Sequence, residues 1–224
     1  MEKDKILVSY SDVEISRGGV KILGDVCFCI KAGEMVTIEG PIGSGKSSLF
    51  KTLYADIQIS GGSAKVLGFD IKGLSDRKTA QLRRRMGIVF QDYQLFDNKT
   101  VADNLRFVIE SLGYKPDGIS RDEHIARILE KVGMRSKSGT FPHMLSGGER
   151  QSVAIARAIV CGPELIIADE PTGNLDEASA RHIASLLSQL AGEGTGVLVA
   201  THDENIFREF PHRTLRIEDG RLVE

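Results

Sequence analysis

Residues 34–53, EMVTIEGPIGSGKSSLFKTL, decide the fold, because an apolar strand, a glycine-rich loop and a helix follow one another in a single short segment. Gly40, Gly45, Lys46 and Ser47 have the spacing of a phosphate-binding loop. Glycine lets backbone N–H groups close around phosphate oxygens where a side chain would clash. We therefore expect Lys46 to reach the β- and γ-phosphates of a nucleoside triphosphate and the Ser47 hydroxyl to bind Mg²⁺.

The rest of the chain alternates between strand and helix patterns. Strands are predicted over residues 5–10, 25–30, 34–39, 63–68, 86–90, 165–169, 196–201 and 214–219, and helices over 45–54, 77–84, 101–112, 121–132, 147–160, 176–190 and 203–208. The runs at 165–169 and 196–201 are almost wholly apolar, as is typical of strands covered on both faces of a parallel sheet. The first thirty residues alternate in a way that suits an antiparallel edge. The sequence therefore predicts an α/β fold with a mixed central sheet and an antiparallel N-terminal β subdomain.

The length of 224 residues fits one domain with an inserted lobe. Residues 92–161 are helix-rich, contain the loop signals KPDG and SKSGTFP, and lie between two predicted core strands. We expect this stretch to form a helical subdomain. Residues 1–91 and 162–224 then form the nucleotide-binding core.

Composition excludes several classes of protein. A net charge of −2 argues against a broad nucleic-acid-binding surface, which needs a basic excess. No apolar stretch approaches the roughly 18 residues of a membrane span, so direct insertion into a membrane is not expected. The start of the chain lacks the apolar segment of a secretory signal, and Cys27, Cys29 and Cys161 fit a reducing compartment. These features predict a cytoplasmic protein.

Two adjacent carboxylates end the apolar run 165–169, in the sequence LIIADEP. Because successive strand residues point in opposite directions, Asp169 and Glu170 cannot perform the same task. We assign Asp169 to the Mg²⁺ shell and Glu170 to the general base that faces an attacking water. The alternative is a pair of exposed acids at a strand end.

Polar side chains follow two further predicted strands. Gln91 comes directly after the run 86–90, and His202 directly after the run 196–201. Ligands of open α/β sheets bind at the carboxyl ends of the strands. We therefore expect the Gln91 amide to meet Mg²⁺ and water, and the His202 imidazole to meet the γ-phosphate, although a lone residue of either type is more often structural.

A second glycine-bearing loop opens another helix, in the sequence LSGGERQ at 145–151. Ser146, Gly147 and Gly148 precede a helix that begins near Glu149, where N–H groups suit a phosphate. Either the helical lobe folds over its own site, or each loop serves a second subunit. The second arrangement predicts a homodimer whose chains pack head to tail around a two-fold axis and form two composite sites, each with one loop from each chain.

These motifs together resemble the ATP-binding subunits of ABC transporters. The phosphate loop, Gln91, LSGGE, LIIADEP, GNLD at 173–176 and His202 match the motifs of that family in order. The resemblance implies an ABC-type phosphate-loop ATPase fold, ATP and Mg²⁺ as ligands, a sandwich dimer that closes on ATP, and a membrane partner that the ATP cycle drives. It also implies that Asn174, Leu175 and Asp176 lie at the dimer interface beside the opposite site.

Residue roles follow from the same resemblance. It assigns catalysis to Glu170, His202, Gln91 and Lys46, and Mg²⁺ binding to Ser47, Gln91 and Asp169. It assigns nucleotide contacts to Arg17, Gly40, Pro41, Ile42, Gly43, Ser44, Gly45, Lys46, Ser47, Ser48, Gln91, Ser146, Gly147, Gly148, Glu149, Asp176 and His202.

Within the family, residues 82–105, 141–151 and 169–176 are most similar to the FtsE group of cell-division ATPases. That similarity implies an FtsX-like integral membrane partner and a location on the inner face of the cell membrane. The partner's cytoplasmic segment would enter a cleft between core and lobe, with candidate contacts at Tyr93, Leu95, Phe96, Val101 and Phe107. Ordinary core packing is the competing interpretation for each of these apolar residues.

The chain departs from the family pattern in three places, at four residues. Arg17 stands where an aromatic ring usually stacks on adenine, and a guanidinium can also stack on a base. Arg150, Gln151 and Ser152 follow LSGGE where Gln-Gln-Arg is common, and Ser48 replaces a threonine.

Other functions stay open from the sequence. The main alternatives are the ATPase of a lipoprotein-release complex or of a MacB-type efflux complex. A regulatory ATP-binding module with little turnover is a further alternative. Arg17 and the altered ERQS segment give it some support, while the intact Glu170 and His202 weigh against a complete loss of chemistry. A soluble ABC protein acting on DNA or ribosomes is remote, because the chain shows no second cassette, coiled coil or zinc module.

Overall fold

The computed structural model describes residues 5–202 and 204–224. Within these ranges the strands are β1 (Ile6–Arg17), β2 (Val20–Lys31), β3 (Met35–Glu39), β4 (Gly61–Val66), β5 (Phe69–Asp70), β6 (Met86–Val89), β7 (Leu165–Asp169), β8 (Gly196–Thr201), β9 (Arg213–Glu218) and β10 (Arg221–Val223). The helices are α1 (Lys46–Leu53), α2 (Asp76–Arg83), α3 (Val101–Leu112), α4 (Arg121–Lys131), α5 (Gly147–Ile159), α6 (Glu177–Gly192) and α7 (Glu204–Phe207), with 3-10 turns at Arg135–Lys137 and Pro142–Met144. No helix in these ranges combines the length and the apolar character needed to cross a bilayer.

The central sheet has the strand order β10-β9-β3-β8-β7-β6, and all of its pairs except β9 with β10 are parallel. β3 and β8 are buried along their whole length, and β7 along all but its last residue. This double-sided burial explains their nearly continuous apolar sequences. The predicted α/β fold with a mixed central sheet is confirmed.

The N-terminal strands form a sheet of their own, in the order β2-β1-β4-β5, with every pair antiparallel. They therefore do not supply the antiparallel edge of the central sheet, which is β10. β1 and β2 also extend well beyond the predicted 5–10 and 25–30, up to a turn at Gly18 and Gly19 with φ of 58° and 79°. Positive φ at both residues gives a two-residue hairpin turn whose twist matches the strands.

Two apolar clusters lie on opposite faces of the central sheet. One packs α1 between the two sheets and includes Leu49, Phe50 and Ile38. The other joins α3, α4, α5 and α6 to the second face and includes Leu105 and Val199. Helices within residues 92–161 therefore share a core with the sheet. The boundaries of a helical subdomain there stay a prediction.

A partly buried ion-pair network around Glu164 joins three distant parts of the chain. Its carboxylate accepts from Arg85 Nε at 2.6 Å and from Lys5 Nζ at 2.6 Å, while Arg85 Nη1 donates to the Leu67 carbonyl at 2.9 Å. The hydrogen bond from Arg85 is the main cause that lowers the pKa of Glu164 from 4.5 to about 2. The folded state therefore favours the ionised carboxylate.

Glu164→Gln is expected to lower the free energy of unfolding by about 2 kcal/mol at pH 7, after allowance for solvent screening. The contribution is complete above pH 4.5 and is lost as the pH falls towards 2, because the unfolded state takes up the proton first. Urea unfolding between pH 3 and 7 should show the two proteins converging at acid pH. Glu123→Gln, in an exposed pair with Arg127, is the control with little effect. Equal stability of Glu164→Gln and wild type at pH 7 would contradict this.

Candidate active site

The phosphate-binding loop links the end of β3 to α1. Ser44 N donates to the Pro41 carbonyl at 3.1 Å, which closes the loop into a turn. Gly45 precedes α1 with a φ of 108°, and a Cβ added there would lie 2.9 Å from Cγ2 of Ile22. Only glycine fits both this backbone conformation and this contact with β2.

Lys46, Glu170 and His202 meet beside this loop. The Lys46 Nζ donates to the carbonyls of Gly40 at 2.6 Å and Pro41 at 3.2 Å, and lies 3.6 Å from Oε1 of Glu170. The His202 Nδ1 donates to Oε2 of Glu170 at 2.7 Å. The Glu170 side chain is only 12% exposed, so these neighbours rather than water stabilise its charge. Glu170 also has a φ of 49°, an uncommon backbone conformation for a residue with a side chain.

Asp169 and Ser47 form a set of oxygen donors suited to a divalent cation. Burial raises the pKa of Asp169, and a hydrogen bond from the Ser47 side chain opposes that shift. The Asp169 Oδ1 atom is buried and has no hydrogen-bond partner among the described residues. A buried carboxylate oxygen without a partner is costly unless a ligand satisfies it, and Mg²⁺ prefers oxygen donors. The residues present therefore fit the ion.

A cavity of about 390 Å³ has eight of the 17 predicted nucleotide residues in its lining. It is lined by Ile22, Ile42, Gly43, Gly45, Lys46, Ser47, Ser48, Gln91, Glu170 and His202. Gly40, Pro41 and Ser44 belong to the same loop but are not among the lining residues that the structure describes. Gln91 also borders a second cavity with Asp169 and Asn174. Arg17, at the hairpin tip, is exposed and is not among the lining residues that the structure describes. Ile22 was missed, because residues 20–24 were not predicted as strand.

The second loop lies elsewhere in the chain. Ser146 and Glu149 cap α5 reciprocally, since Glu149 N donates to the Ser146 Oγ at 3.3 Å and Ser146 N donates to the Glu149 carboxylate at 3.0 Å. Ser146, Gly148 and Glu149 line a separate cavity of about 420 Å³. Among the described residues, none of positions 146–149 lines the cavity that holds Lys46. Within one chain the two loops therefore line different cavities.

The second loop instead packs against the segment after β7. A Cβ added at Gly147 would lie 3.4 Å from Cδ2 of Leu175, and one at Gly148 only 2.6 Å from Oγ of Ser179. Asp176 caps α6 by accepting from Ser179 N at 3.0 Å and Ser179 Oγ at 2.6 Å, and the bond to that hydroxyl is the main cause that lowers the pKa of Asp176. The loop and residues 174–176 therefore form one continuous surface.

Two of the departures from the family pattern have local partners. The Arg150 Nε donates to the Leu145 carbonyl at 3.1 Å, which ties the helix to the loop that precedes it. The buried Ser152 hydroxyl donates to the Gly148 carbonyl at 3.0 Å. Arg150 therefore anchors the loop from one side, while Ser152 closes a bond within the first turns of α5.

An apolar groove of about 480 Å³ lies between β6, α3 and α5. Phe96 and Phe107 line it and pack edge to face with ring centroids 4.8 Å apart. Arg157, also in the lining, donates from Nη2 to the Tyr93 carbonyl at 3.0 Å and from Nη1 to that of Gln94. This arginine connects α5 to the segment that follows Gln91.

The five candidate cleft residues differ in whether they face the groove or the core. Phe96 and Phe107 are 39% and 43% exposed in the groove. Val101 is fully buried in the core, so its assignment to a partner contact is wrong. Leu95 packs against the same core, and the Tyr93 hydroxyl lies beside Gly147. Alternating surface and core positions in a short apolar segment explain the error.

The sequence model of the ABC transporter family matches residues 23–173. The chain is 42% identical over 205 residues to the cell division ATP-binding protein FtsE of Streptococcus pneumoniae strain D39, covering 92% of this chain and 88% of that protein. It is 43% identical over 201 residues to FtsE of Mycobacterium tuberculosis, covering 90% and 86%. It is 40% identical over 205 residues to FtsE of Escherichia coli K12, covering 92% and 91%.

Solved structures agree with these relatives. The dimeric structure of the bacterial ABC transporter cassette MJ0796 matches with a TM-score of 0.84 and 30% identity, covering 97% of each chain. The cbiO1 protein of Clostridium perfringens, part of an ABC transporter complex, matches with a TM-score of 0.89 and 28% identity over 99% of this chain and 88% of its own. The chain therefore belongs to the ABC transporter family, as an ATP-hydrolysing subunit similar to the FtsE cell-division proteins.

Proposed function

We propose that two copies of this chain clamp ATP between them, and that hydrolysis then releases the copies to move a membrane partner in cell division. The observation that carries this proposal is the separation of the two phosphate-suited loops. The cavity around Lys46 holds one loop, and a different cavity holds Ser146 and its neighbours. A second copy in a head-to-tail arrangement supplies the missing loop to each site. The MJ0796 cassette, whose solved structure is a dimer, is consistent with this arrangement.

The contacts around Lys46 suggest how ATP enters the site. Its ammonium group is held by two loop carbonyls and lies near Glu170. Phosphate oxygens carry more charge than carbonyls and therefore compete for these N–H donors. Binding of ATP would turn Lys46 towards the β- and γ-phosphates and leave Glu170 with His202. Ser47, Gln91 and Asp169 would hold Mg²⁺, which neutralises phosphate charge when it is bound.

Hydrolysis then depends on Glu170. The oxygen of water forms a bond to the γ-phosphorus as the bond from that phosphorus to the bridging oxygen of ADP breaks, and Glu170 accepts the water proton. The hydrogen bond from His202 Nδ1 holds one carboxylate oxygen in place and leaves the other to receive the proton. For the His202 ring also to bind the γ-phosphate, its Nε2 must carry a proton and donate it, because phosphate oxygens only accept hydrogen bonds.

The groove lined by Phe96 and Phe107 is the docking site that we propose for an FtsX-like integral membrane protein. Most of the side chains that line the groove are apolar, and Arg83 and Arg84 also belong to the lining. The FtsE names of the relatives support a role in cell division. Because Arg157 lines the groove and holds the carbonyls after Gln91, a segment bound there would be connected to the nucleotide site. The chain would then work at the inner face of the cell membrane.

Phe107→Asp is expected to weaken binding to the FtsX-like protein by at least about tenfold, because a carboxylate in an apolar contact loses its hydration. Binding is measured with the partner in nanodiscs, and a permease of the lipoprotein-release type and one of the MacB type are assayed in parallel. Val223→Asp is the control, since Val223 is 38% exposed on β10, outside the groove. Unchanged binding by Phe107→Asp would contradict the docking site. Binding only to one of the permeases would contradict the role in division.

A further inference from the structure

The three most exposed large apolar side chains of the described residues are Ile42 at 88%, Val20 at 68% and Met144 at 66%. The next, Ile6, is 55% exposed. Scattered apolar side chains on a surface are ordinary and need no explanation. These three side chains share a feature, because each lies in a segment that belongs to one half of the proposed composite site.

Ile42 and Val20 belong to the half that holds the phosphate-binding loop. Ile42 lies within that loop and lines the nucleotide cavity. Val20 opens β2 at the hairpin tip, two residues before Ile22, which also lines the cavity. Neither side chain is part of an apolar cluster among the described residues. Both therefore stand on the surface that surrounds the opening of the nucleotide site.

Met144 belongs to the other half. It ends the 3-10 turn Pro142–Met144, whose backbone is fixed by the bond from Met144 N to the Phe141 carbonyl at 3.0 Å. It precedes Ser146 by two residues, so its backbone lies within about 7 Å of that of Ser146. The buried Leu145 between them points into the core and leaves Met144 on the surface. Met144 is thus presented beside the loop that the proposed dimer places over ATP.

We infer that Met144 of one copy covers Ile42 and Val20 of a second copy when ATP closes the dimer, and that these contacts form an apolar seal at the edge of each composite site. The inference rests on the proposed function, since the same head-to-tail arrangement brings Ser146 opposite the phosphate-binding loop. ATP supplies the polar contacts at the centre of the interface. The seal excludes water from the edge of the interface, and it stabilises the dimer only in the closed state.

The expected effect is large because of symmetry. Burying one exposed side chain of this size changes an equilibrium by about tenfold or more. A two-fold dimer contains each contact twice, so one substitution removes two contacts. Met144→Gln is therefore expected to raise the dissociation constant of the dimer by about 100-fold. Because Met144 lies outside the nucleotide cavity of its own chain, ATP binding by the monomer should not change.

The experiment uses Glu170→Gln as the parent, which is expected to remain dimeric with ATP and Mg²⁺. Sedimentation gives the dimer dissociation constant of the parent, of Met144→Gln, of Ile42→Ser and of the double variant. Contact between the two side chains predicts that the double variant loses less than the sum of the single losses. Ile6→Ser is the matched control, because Ile6 is exposed at the distant start of β1 and should leave the constant unchanged.

The outcomes separate the two proposals. A parent that stays monomeric with ATP overturns the proposed dimer itself. A parent that dimerises while Met144→Gln and Ile42→Ser dimerise equally well overturns the seal alone. Val20→Ser is expected to weaken the dimer as well. If Val20→Ser lowers only the affinity of the monomer for ATP, the assignment of Val20 to the seal is overturned.

Discussion

Glu170→Gln is expected to bind ATP with near wild-type affinity and to hydrolyse it at least about 100 times more slowly, since general-base catalysis contributes about 10² to 10⁴ in rate. The glutamine amide keeps the size of the side chain and one oxygen acceptor for His202. It cannot accept a proton from water. Of the side chains that line the nucleotide cavity, Glu170 is the only carboxylate within the described residues.

The measurement compares phosphate release with equilibrium binding of ATP in the same preparation. Glu177→Gln is the control, because Glu177 is an exposed acid that pairs with Arg181 in the first turn of α6. Its rate should match wild type. A Glu170→Gln protein that keeps more than about a tenth of the wild-type rate would exclude Glu170 as the general base. Loss of ATP binding would show that Glu170 supports the site rather than the reaction.

The central strands and the phosphate-binding loop were predictable because their signals are local. Continuous apolar runs identify β7 and β8, and the loop spacing places Gly45 and Lys46 at the start of α1. Gln91 and His202 were predictable from their positions at the ends of strands. Both line the same cavity as Gly45 and Lys46.

Other features depend on long-range contacts that a sequence does not display. One face of β1 and of β2 is exposed near the hairpin turn, and charged residues there interrupt the apolar pattern. The full length of the two strands was therefore not predicted, and Ile22 was missed. Separate packing of the N-terminal sheet follows from pairing of β1 with β4, which are far apart in the chain. The hydrogen bonds from Lys46 to the loop carbonyls were also not predictable. Their acceptors are backbone carbonyls, which no charged residue in the sequence marks.

The second prediction with a large expected effect uses two variants of the chain, each of which is expected to be inactive alone. Lys46→Ala removes the ammonium group that we propose to bind the ATP phosphates, and Ser146→Arg fills the exposed position at which we propose that the second loop binds a phosphate. Each variant alone is expected to lose at least about 100-fold in ATPase activity, because both composite sites of its dimer carry a defect. A mixed dimer differs. One of its sites combines Lys46 from one chain with Ser146 from the other, and both residues are intact.

Mixing the two inactive variants in equal amounts is the most direct test of the composite site. Half of the dimers are then mixed, each with one intact site of two, so about a quarter of wild-type activity should return. Dilution below the dimer dissociation constant should abolish that recovery. Activity that stays at the sum of the two separate variants would contradict the account, because it would mean that both loops serve the nucleotide of their own chain.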